Sequence, residues 1–201
     1  MKTHARVVVI GGGTVGVSTL YHLAKKGWSD VVLLERSELT AGSTWHAAGL
    51  LPLFNMSYTV GQLHKYSVDL YKRLPAETGQ DVSFHVTGNL RLATSASRMD
   101  EYLKYCSTAN TIGVPFRIIS PEEVKALWPL VELGDGKATP RIVGALYHPD
   151  DGHIAPADLT AALRRGARSA GADIYDHTEV AAALRRPPGE WQLTTTRGEI
   201  V

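Results

Sequence analysis

The chain is expected to be an α/β protein that opens with a parallel βαβ unit and continues into a region of mixed α+β character. Two observations carry this expectation. The apolar runs Arg6 to Ile10 and Val31 to Leu34 each have the unbroken hydrophobicity of strands buried in a parallel sheet. Between them lies Gly11-Gly12-Gly13-Thr14-Val15-Gly16, a glycine turn that follows a strand and opens an amphipathic helix.

Taken in order, Arg6 to Ile10 is predicted to be the central strand. After Gly16, apolar residues at Val17, Leu20, Leu23 and Ala24 recur at helical spacing, and Lys25, Lys26 and Gly27 supply a basic last turn and a stop. Val31 to Leu34 closes the βαβ unit, for which a right-handed crossover is nearly obligatory. Beyond Gly49, a helix is predicted over Val60 to Leu74, with two short strands around Gly88 between Val82 and Thr94 and a helix over Ser97 to Ile112. Ser120-Pro121-Glu122-Glu123 predicts a short helix with Ser120 as N-cap, proline at the first helical position, a capping box through Glu123, and a stop at Pro129. Ile142 to Tyr147 reads as a strand, Pro156 to Ala170 as a helix and Asp173 to Tyr175 as a strand. Trp191 to Thr195 with Arg197-Gly198 reads as the start of a hairpin whose second arm has only begun at Val201, which predicts a fragment.

Composition narrows the function classes. The 201 residues carry 21 Lys+Arg against 20 Asp+Glu, a net charge of +1, and the basic residues are scattered, so no nucleic-acid partner is expected. The single cysteine, Cys106, excludes an intrachain disulfide or a cysteine-based zinc site and is read as a helix residue without a special role. No stretch approaches the ~20 apolar residues needed to span a bilayer, and the apolar run Val7 to Ile10 is too short for a secretory signal. No membrane partner is expected. The expected location is cytoplasmic, or the mitochondrial matrix if a transit peptide has been removed.

The glycine turn assigns separate tasks to its residues. Gly11 permits the tight turn off the strand, Gly13 lets backbone approach a pyrophosphate, and Gly16 lets the helix pack closely on the sheet, as in Rossmann-like dinucleotide sites. Thr14 and Val15 lie at the helix N-terminus, whose free N–H groups and partial positive charge favour phosphate. Glu35, twenty-two positions after Gly13 and followed by Arg36, is placed to accept from ribose hydroxyls and would repel a 2′-phosphate. The turn alone does not separate NAD from FAD, which share the ADP half. Gly42-Ser43-Thr44 favours FAD, because a helix starting there would bring hydroxyls and a second set of N–H donors to the other end of an extended dinucleotide. Gly49 and Leu50 close this candidate cofactor segment.

The run Ser37-Glu38-Leu39-Thr40-Ala41-Gly42-Ser43-Thr44-Trp45-His46-Ala47-Ala48-Gly49-Leu50 closely resembles dimethylglycine and sarcosine dehydrogenases, flavoenzymes of the glycine-oxidase/D-amino-acid-oxidase superfamily. The resemblance continues through Gly88-Asn89-Leu90-Arg91-Leu92-Ala93-Thr94, Leu127-Trp128-Pro129-Leu130 and Asp151-Gly152-His153-Ile154-Ala155-Pro156, so it spans essentially the whole chain. It implies a Rossmann-like FAD-binding domain with part of an α+β substrate domain. Residues 1–50 would form the ADP-binding unit and flavin loop, roughly 80–145 the start of the substrate-domain insertion, and 150–201 the truncated return to the FAD domain.

The resemblance further implies that His46 is bonded to the flavin 8α-methyl carbon, a step suited to the nucleophilic nitrogen of a neutral imidazole. It implies hydride removal from an N-methyl amine to flavin N5, with oxygen or an electron-transfer flavoprotein as acceptor and tetrahydrofolate as a further cofactor of a full-length protein. No catalytic residue is assigned. Arg91 is expected to be an exposed strand arginine, His153 a turn residue beside the turn-stabilising Asp151 and Gly152, and His85 a strand residue for which the sequence names no partner, while His64 and Asp69 need no role beyond their helix. Two other readings stay open: an NAD-linked dehydrogenase of the same fold, and a catalytically silent nucleotide-binding module.

Overall fold

The computed structural model describes residues 1–53, 55 and 57–201. In chain order its elements are β1 (Val7–Ile10), α1 (Thr14–Lys25), β2 (Val31–Leu34), a 3-10 turn (Ser43–His46), β3 (Leu50–Leu51), α2 (Tyr58–Thr78), β4 (His85–Val86), β5 (Asn89–Ala93), α3 (Ala96–Ile112), β6 (Arg117–Ile119), α4 (Pro121–Leu127), β7 (Gly144–His148), β8 (Gly152–His153), α5 (Pro156–Ser169), β9 (Asp173–Tyr175), β10 (Val180–Arg186), β11 (Glu190–Thr195) and β12 (Gly198–Ile200). They fall into two compact units, the first comprising Met1–Gly49, Tyr71–Ser83 and Ile154–Val201, the second Leu50–Leu70 and Phe84–His153.

The first unit is a Rossmann-like α/β body. Its parallel sheet has the order β1-β2-β9, with Val7 opposite Val31 and Val32 opposite Asp173. β2, rather than β1, is therefore the central strand. All four β2 residues are buried, whereas Ile10 of β1 is 59% exposed, because the outer edge of β1 carries no strand among the described residues. A cavity of about 1000 Å³ runs along that edge, lined in part by Arg6, Val8, Ala183, Trp191 and Leu193.

Pleating sends the side chains of β2 to both faces of the sheet. Val32 and Leu34 join Leu193 and Ile200 in one cluster, so the antiparallel sheet β10-β11-β12 covers one face. Helices α1 and α5 supply a second layer. α1 buries Val17, Leu20, Tyr21 and Ala24, spaced i, i+3, i+4 and i+7, while α5 buries Leu159, Ala162, Leu163 and Ala167. Each large aliphatic among them contributes roughly 1.5–3 kcal/mol by leaving water. The helices approach closely at Gly166, where a Cβ would stand 2.6 Å from a ring carbon of Tyr21.

The second unit holds two small antiparallel sheets, β5-β7-β6 and β3-β8-β4. The segments around Gly88 are thus strands as expected, but they belong to different sheets. α3 begins at Ser95, whose hydroxyl accepts from the Arg98 N–H, and ends at the left-handed Gly113 (φ 76°). The capping box of α4 is present, with Ser120 and Glu123 bonded reciprocally. Cys106 is half-buried on α3, and burial pushes its thiol pKa up. In the first unit, α2 runs past its expected end at Leu74, through Pro75 to Thr78, and the Gly79 N–H closes its last turn on the Pro75 carbonyl at 2.8 Å.

Asp151 organises the centre of the second unit. Its carboxylate accepts from the Leu53 N–H (2.8 Å) and lies 2.7 Å from His148 Nδ1, while its carbonyl accepts from the Thr87 and Gly88 N–H groups (3.1 and 2.9 Å). Both side chains of the pair are buried. No helix among the described residues is long and apolar enough to cross a membrane, and no group of three or more His, Cys, Asp or Glu residues is placed to hold a metal.

Candidate cofactor site

The site grows from the junction of β1, the glycine turn and α1. The Gly11 N–H continues the sheet by donating to Leu34 O (2.8 Å), and Gly11 then turns with φ 111°, a conformation that disfavours any side chain. At Gly16 a Cβ would overlap the Gly11 carbonyl oxygen, so the first turn of α1 closes against the strand only because that side chain is absent. Gly13 is the N-cap of α1, and no side chain of the turn itself caps the helix. Val15 is 83% exposed at the helix start.

Gly12, to which the glycine spacing assigns no task, is the most tightly enclosed residue of the turn. A Cβ there would overlap the end of Leu39 and stand 2.9 Å from both Cβ and Cγ of Glu35. Its N–H donates to Glu35 Oε2 at 2.6 Å. The only sequence signal for this role was a third glycine at a position where a Rossmann turn tolerates other residues.

Glu35 ends β2 and is half-buried. Its Oε1 accepts from the Ser37 N–H (2.8 Å) and hydroxyl (3.2 Å). Burial works against ionisation, but the N–H groups of Ser37 and Gly12, the Ser37 hydroxyl and the Arg36 charge outweigh it and hold the carboxyl below its usual range. Arg36 is exposed. A carboxylate has about four acceptor directions, so Glu35 keeps capacity for a ribose hydroxyl beside its internal bonds.

The segment after β2 folds back onto the glycine turn. Thr40, at φ 72°, donates its N–H to Gly12 O (3.1 Å), and Thr44 Oγ1 accepts from the Thr14 N–H (3.0 Å). The expected helix at Gly42-Ser43-Thr44 is a single 3-10 turn, Ser43–His46, with Gly42 before it and no side-chain cap. Thr44, inside that turn, has its hydroxyl engaged on α1, and the chain leaves extended at Ala47 (φ −75°, ψ 133°). The turn therefore offers no second helix N-terminus. Thr14 is held from a further side, its hydroxyl 2.8 Å from that of Thr160 on α5.

His46 ends the 3-10 turn, exposed, with Nδ1 3.2 Å from Gly42 O. A carbonyl oxygen only accepts, so Nδ1 carries a proton in this contact, and in the uncharged form of the ring the lone pair is on Nε2. Gly42 and Ser43 are exposed beside it. Gly49 (φ 74°) closes the segment, its carbonyl accepting from the Ile154 N–H at 2.9 Å, and a Cβ there would overlap Ile154 O. Thus Gly11, Gly13, Thr14, Val15, Gly16, Glu35, Arg36, Gly42, Ser43, Thr44, His46 and Gly49 all fall in the first unit, and Leu50 opens β3 in the second. The donor set fits a dinucleotide: uncapped backbone N–H groups, room beside glycine, an ionised carboxylate and exposed loop hydroxyls.

The family model for FAD-dependent oxidoreductases matches residues 6–201. The chain belongs to the FAD-dependent oxidoreductase family. This family member is 46% identical over 199 residues to mitochondrial dimethylglycine dehydrogenase of Mus musculus, covering 99% of the chain and 22% of that protein. It is 41% identical to mitochondrial sarcosine dehydrogenase of Homo sapiens, covering 90% of the chain and 19% of the relative. The chain thus spans about a fifth of the length of these curated relatives. Among solved structures, L-proline dehydrogenase from P. horikoshii superposes on the whole chain with TM-score 0.89 and 30% identity, the match covering 51% of that protein. Family membership weighs against the NAD-linked alternative.

The remaining candidates lie elsewhere. Arg91 is half-buried on β5 opposite Leu146, not exposed, because β5 packs within a sheet covered by α3. His153 sits in strand β8 rather than a turn, and His85 has a partner after all: the two rings face each other across β4 and β8. His64 and Asp69 are on α2.

Proposed function

We propose that this chain forms the ADP-binding part and flavin loop of an FAD-dependent enzyme that oxidises N-methyl amino acids of the dimethylglycine or sarcosine class. The observation that carries the reading is the docking of the 40–46 loop onto the glycine turn, through Thr40 on Gly12 and Thr44 on Thr14. It gathers the α1 N-terminus, the Glu35 carboxylate and the His46 loop into one unit. The substrate class is supported by the names of the relatives, dimethylglycine dehydrogenase and sarcosine dehydrogenase.

In this reading Gly13, Val15 and Gly16 present backbone N–H groups to the pyrophosphate, with Gly11 shaping the turn and Thr14, whose own N–H is taken by the Thr44 hydroxyl, lining the site at the helix start. Glu35 accepts from the adenosine ribose, while Arg36 adds charge outside it. Gly42, Ser43, Thr44, Gly49 and Leu50 line the flavin side, and His46 attaches the flavin covalently through Nε2, the nitrogen left free by the Gly42 hydrogen bond. FAD supplies the hydride acceptor. The remaining partners are a small N-methyl amine, oxygen or an electron-transfer flavoprotein as oxidant, and tetrahydrofolate in the complete polypeptide.

The test is the complete polypeptide purified with its flavin. Anaerobic dimethylglycine or sarcosine should bleach the flavin absorbance, acid-precipitated protein should stay yellow, and His46→Ala should release all flavin into the supernatant. Flavin that is not bleached by any N-methyl amino acid would defeat the substrate assignment. Flavin that is fully extractable from wild type would defeat the bond.

A further inference from the structure

The small sheet β3-β8-β4 aligns Leu50, His153 and His85 directly opposite one another. The neighbouring row is Leu51, Gly152 and Val86. Leu51 packs against the core of Leu53, Val68, Ala109, Ile112 and Val114, so alternation turns the Leu50-His153-His85 row to the other face. All three residues are exposed, Leu50 by 70%. The imidazole centroids are 5.1 Å apart with their planes inclined at 39°.

This pair is built rather than incidental. A Cβ at Gly152 would overlap the His85 carbonyl oxygen, so β8 can lie this close to β4 only with glycine there. Asp151, next in the chain, ties the three strands' flanks together through the Leu53, Thr87 and Gly88 N–H groups. The backbone under both histidines is therefore fixed before anything binds.

Each imidazole carries at least one N–H donor, and a carboxylate takes two such donors on its paired oxygens. We propose that His85 and His153 form a two-donor receptor for the carboxylate of the amino-acid substrate, with Leu50 beside them as the apolar wall. The proposal rests on the N-methyl amino acid reading and names the groups that would distinguish such a substrate from a simple amine.

The flavin-loaded complete polypeptide provides the test. Diethylpyrocarbonate acylates accessible histidines, and peptide mass mapping reports His85 and His153 separately from the exposed His4 and His177. Methoxyacetate, a carboxylate without an oxidisable amine, should slow modification of both His85 and His153 about tenfold at saturation. The neutral 2-methoxyethanol should not, and His4 and His177 should keep their own rates throughout. Protection of neither histidine, or of only one, overturns the proposal. In parallel, His85→Leu and His153→Leu should each raise KM for the N-methyl amino acid about tenfold while flavin reduction at saturating substrate stays within twofold, and His153→Gln should recover much of the loss. An unchanged KM, or a fall confined to kcat, overturns it as well. Should no N-methyl amino acid reduce the flavin while methoxyacetate still protects both histidines, the catalytic reading fails and the carboxylate site stands.

Discussion

Replacing Glu35 with glutamine tests the cofactor site at its most connected side chain. Three donors converge on the carboxylate: the Gly12 N–H at 2.6 Å, the Ser37 N–H at 2.8 Å and the Ser37 hydroxyl at 3.2 Å. The substituted amide keeps one acceptor oxygen and turns an NH2 group toward the other donors, so at least one backbone N–H faces another donor. Losing one charge-assisted bond of that kind costs about 2 kcal/mol. The pH dependence carries a definite sign. The folded-state pKa of Glu35 is held below its unfolded value near ~4.3, so its stabilisation is complete above that value and is lost as pH falls through the folded pKa. Urea unfolding of flavin-free protein, followed by circular dichroism, should show the wild type ahead of Glu35→Gln by about 2 kcal/mol at about pH 7.5 and by clearly less at about pH 3.5. In a His46→Ala background, where FAD binds reversibly, Glu35→Gln should weaken FAD about tenfold or more through the lost ribose acceptor. A difference below ~0.5 kcal/mol at about pH 7.5, or one that widens toward acid, would refute the reasoning.

Three further outcomes are expected from the same structure. Gly12→Ala should destabilise by about 2 kcal/mol in thermal unfolding, and Leu39→Ala should restore only part of that, since Glu35 Cβ and Cγ remain 2.9 Å from the added methyl. Thr44→Val removes the acceptor for the Thr14 N–H and should cost about 1 kcal/mol, with faster amide exchange at Thr14 as the local readout. Asp151→Ala leaves the Leu53 N–H and the buried His148 without their carboxylate and should cost about 3 kcal/mol, seen as a lower urea midpoint, whereas Asp150→Ala on the exposed neighbour should be nearly silent.

What could be read from the residues, and what could not, divides along sequence distance. The βαβ unit was legible because its signals are local: apolar runs, the glycine spacing, and an acid at the end of the second strand. The capping box at Ser120 and the strand Asp173 to Tyr175 were legible for the same reason. The place of β1 was not, because strand order depends on which distant segment pairs with β2, and β9 takes that edge from more than a hundred residues away. The short strands β3, β6 and β8 carry two or three residues each and have no period to detect. β10 escaped notice because Val180 to Arg186 mixes alanine with arginine and is largely exposed, so neither hydrophobic alternation nor β-branching marks it.

The loop from Thr40 to His46 illustrates why residue types are easier to read from sequence than their arrangement. Gly42, Ser43, Thr44 and His46 were recognisable as residue types, yet their arrangement is decided by two long-range hydrogen bonds, Thr40 to Gly12 and Thr44 to Thr14. A threonine such as Thr44 can cap a helix or satisfy a donor at the start of α1, and both uses look identical in sequence. The second prevails because the α1 N-terminus, capped by no side chain of its own, leaves an N–H that needs an acceptor. The consequence reaches the proposed chemistry: a 3-10 turn held at Thr44 places His46 Nδ1 3.2 Å from the Gly42 carbonyl, and in the proposed reading that contact leaves Nε2 for the flavin bond.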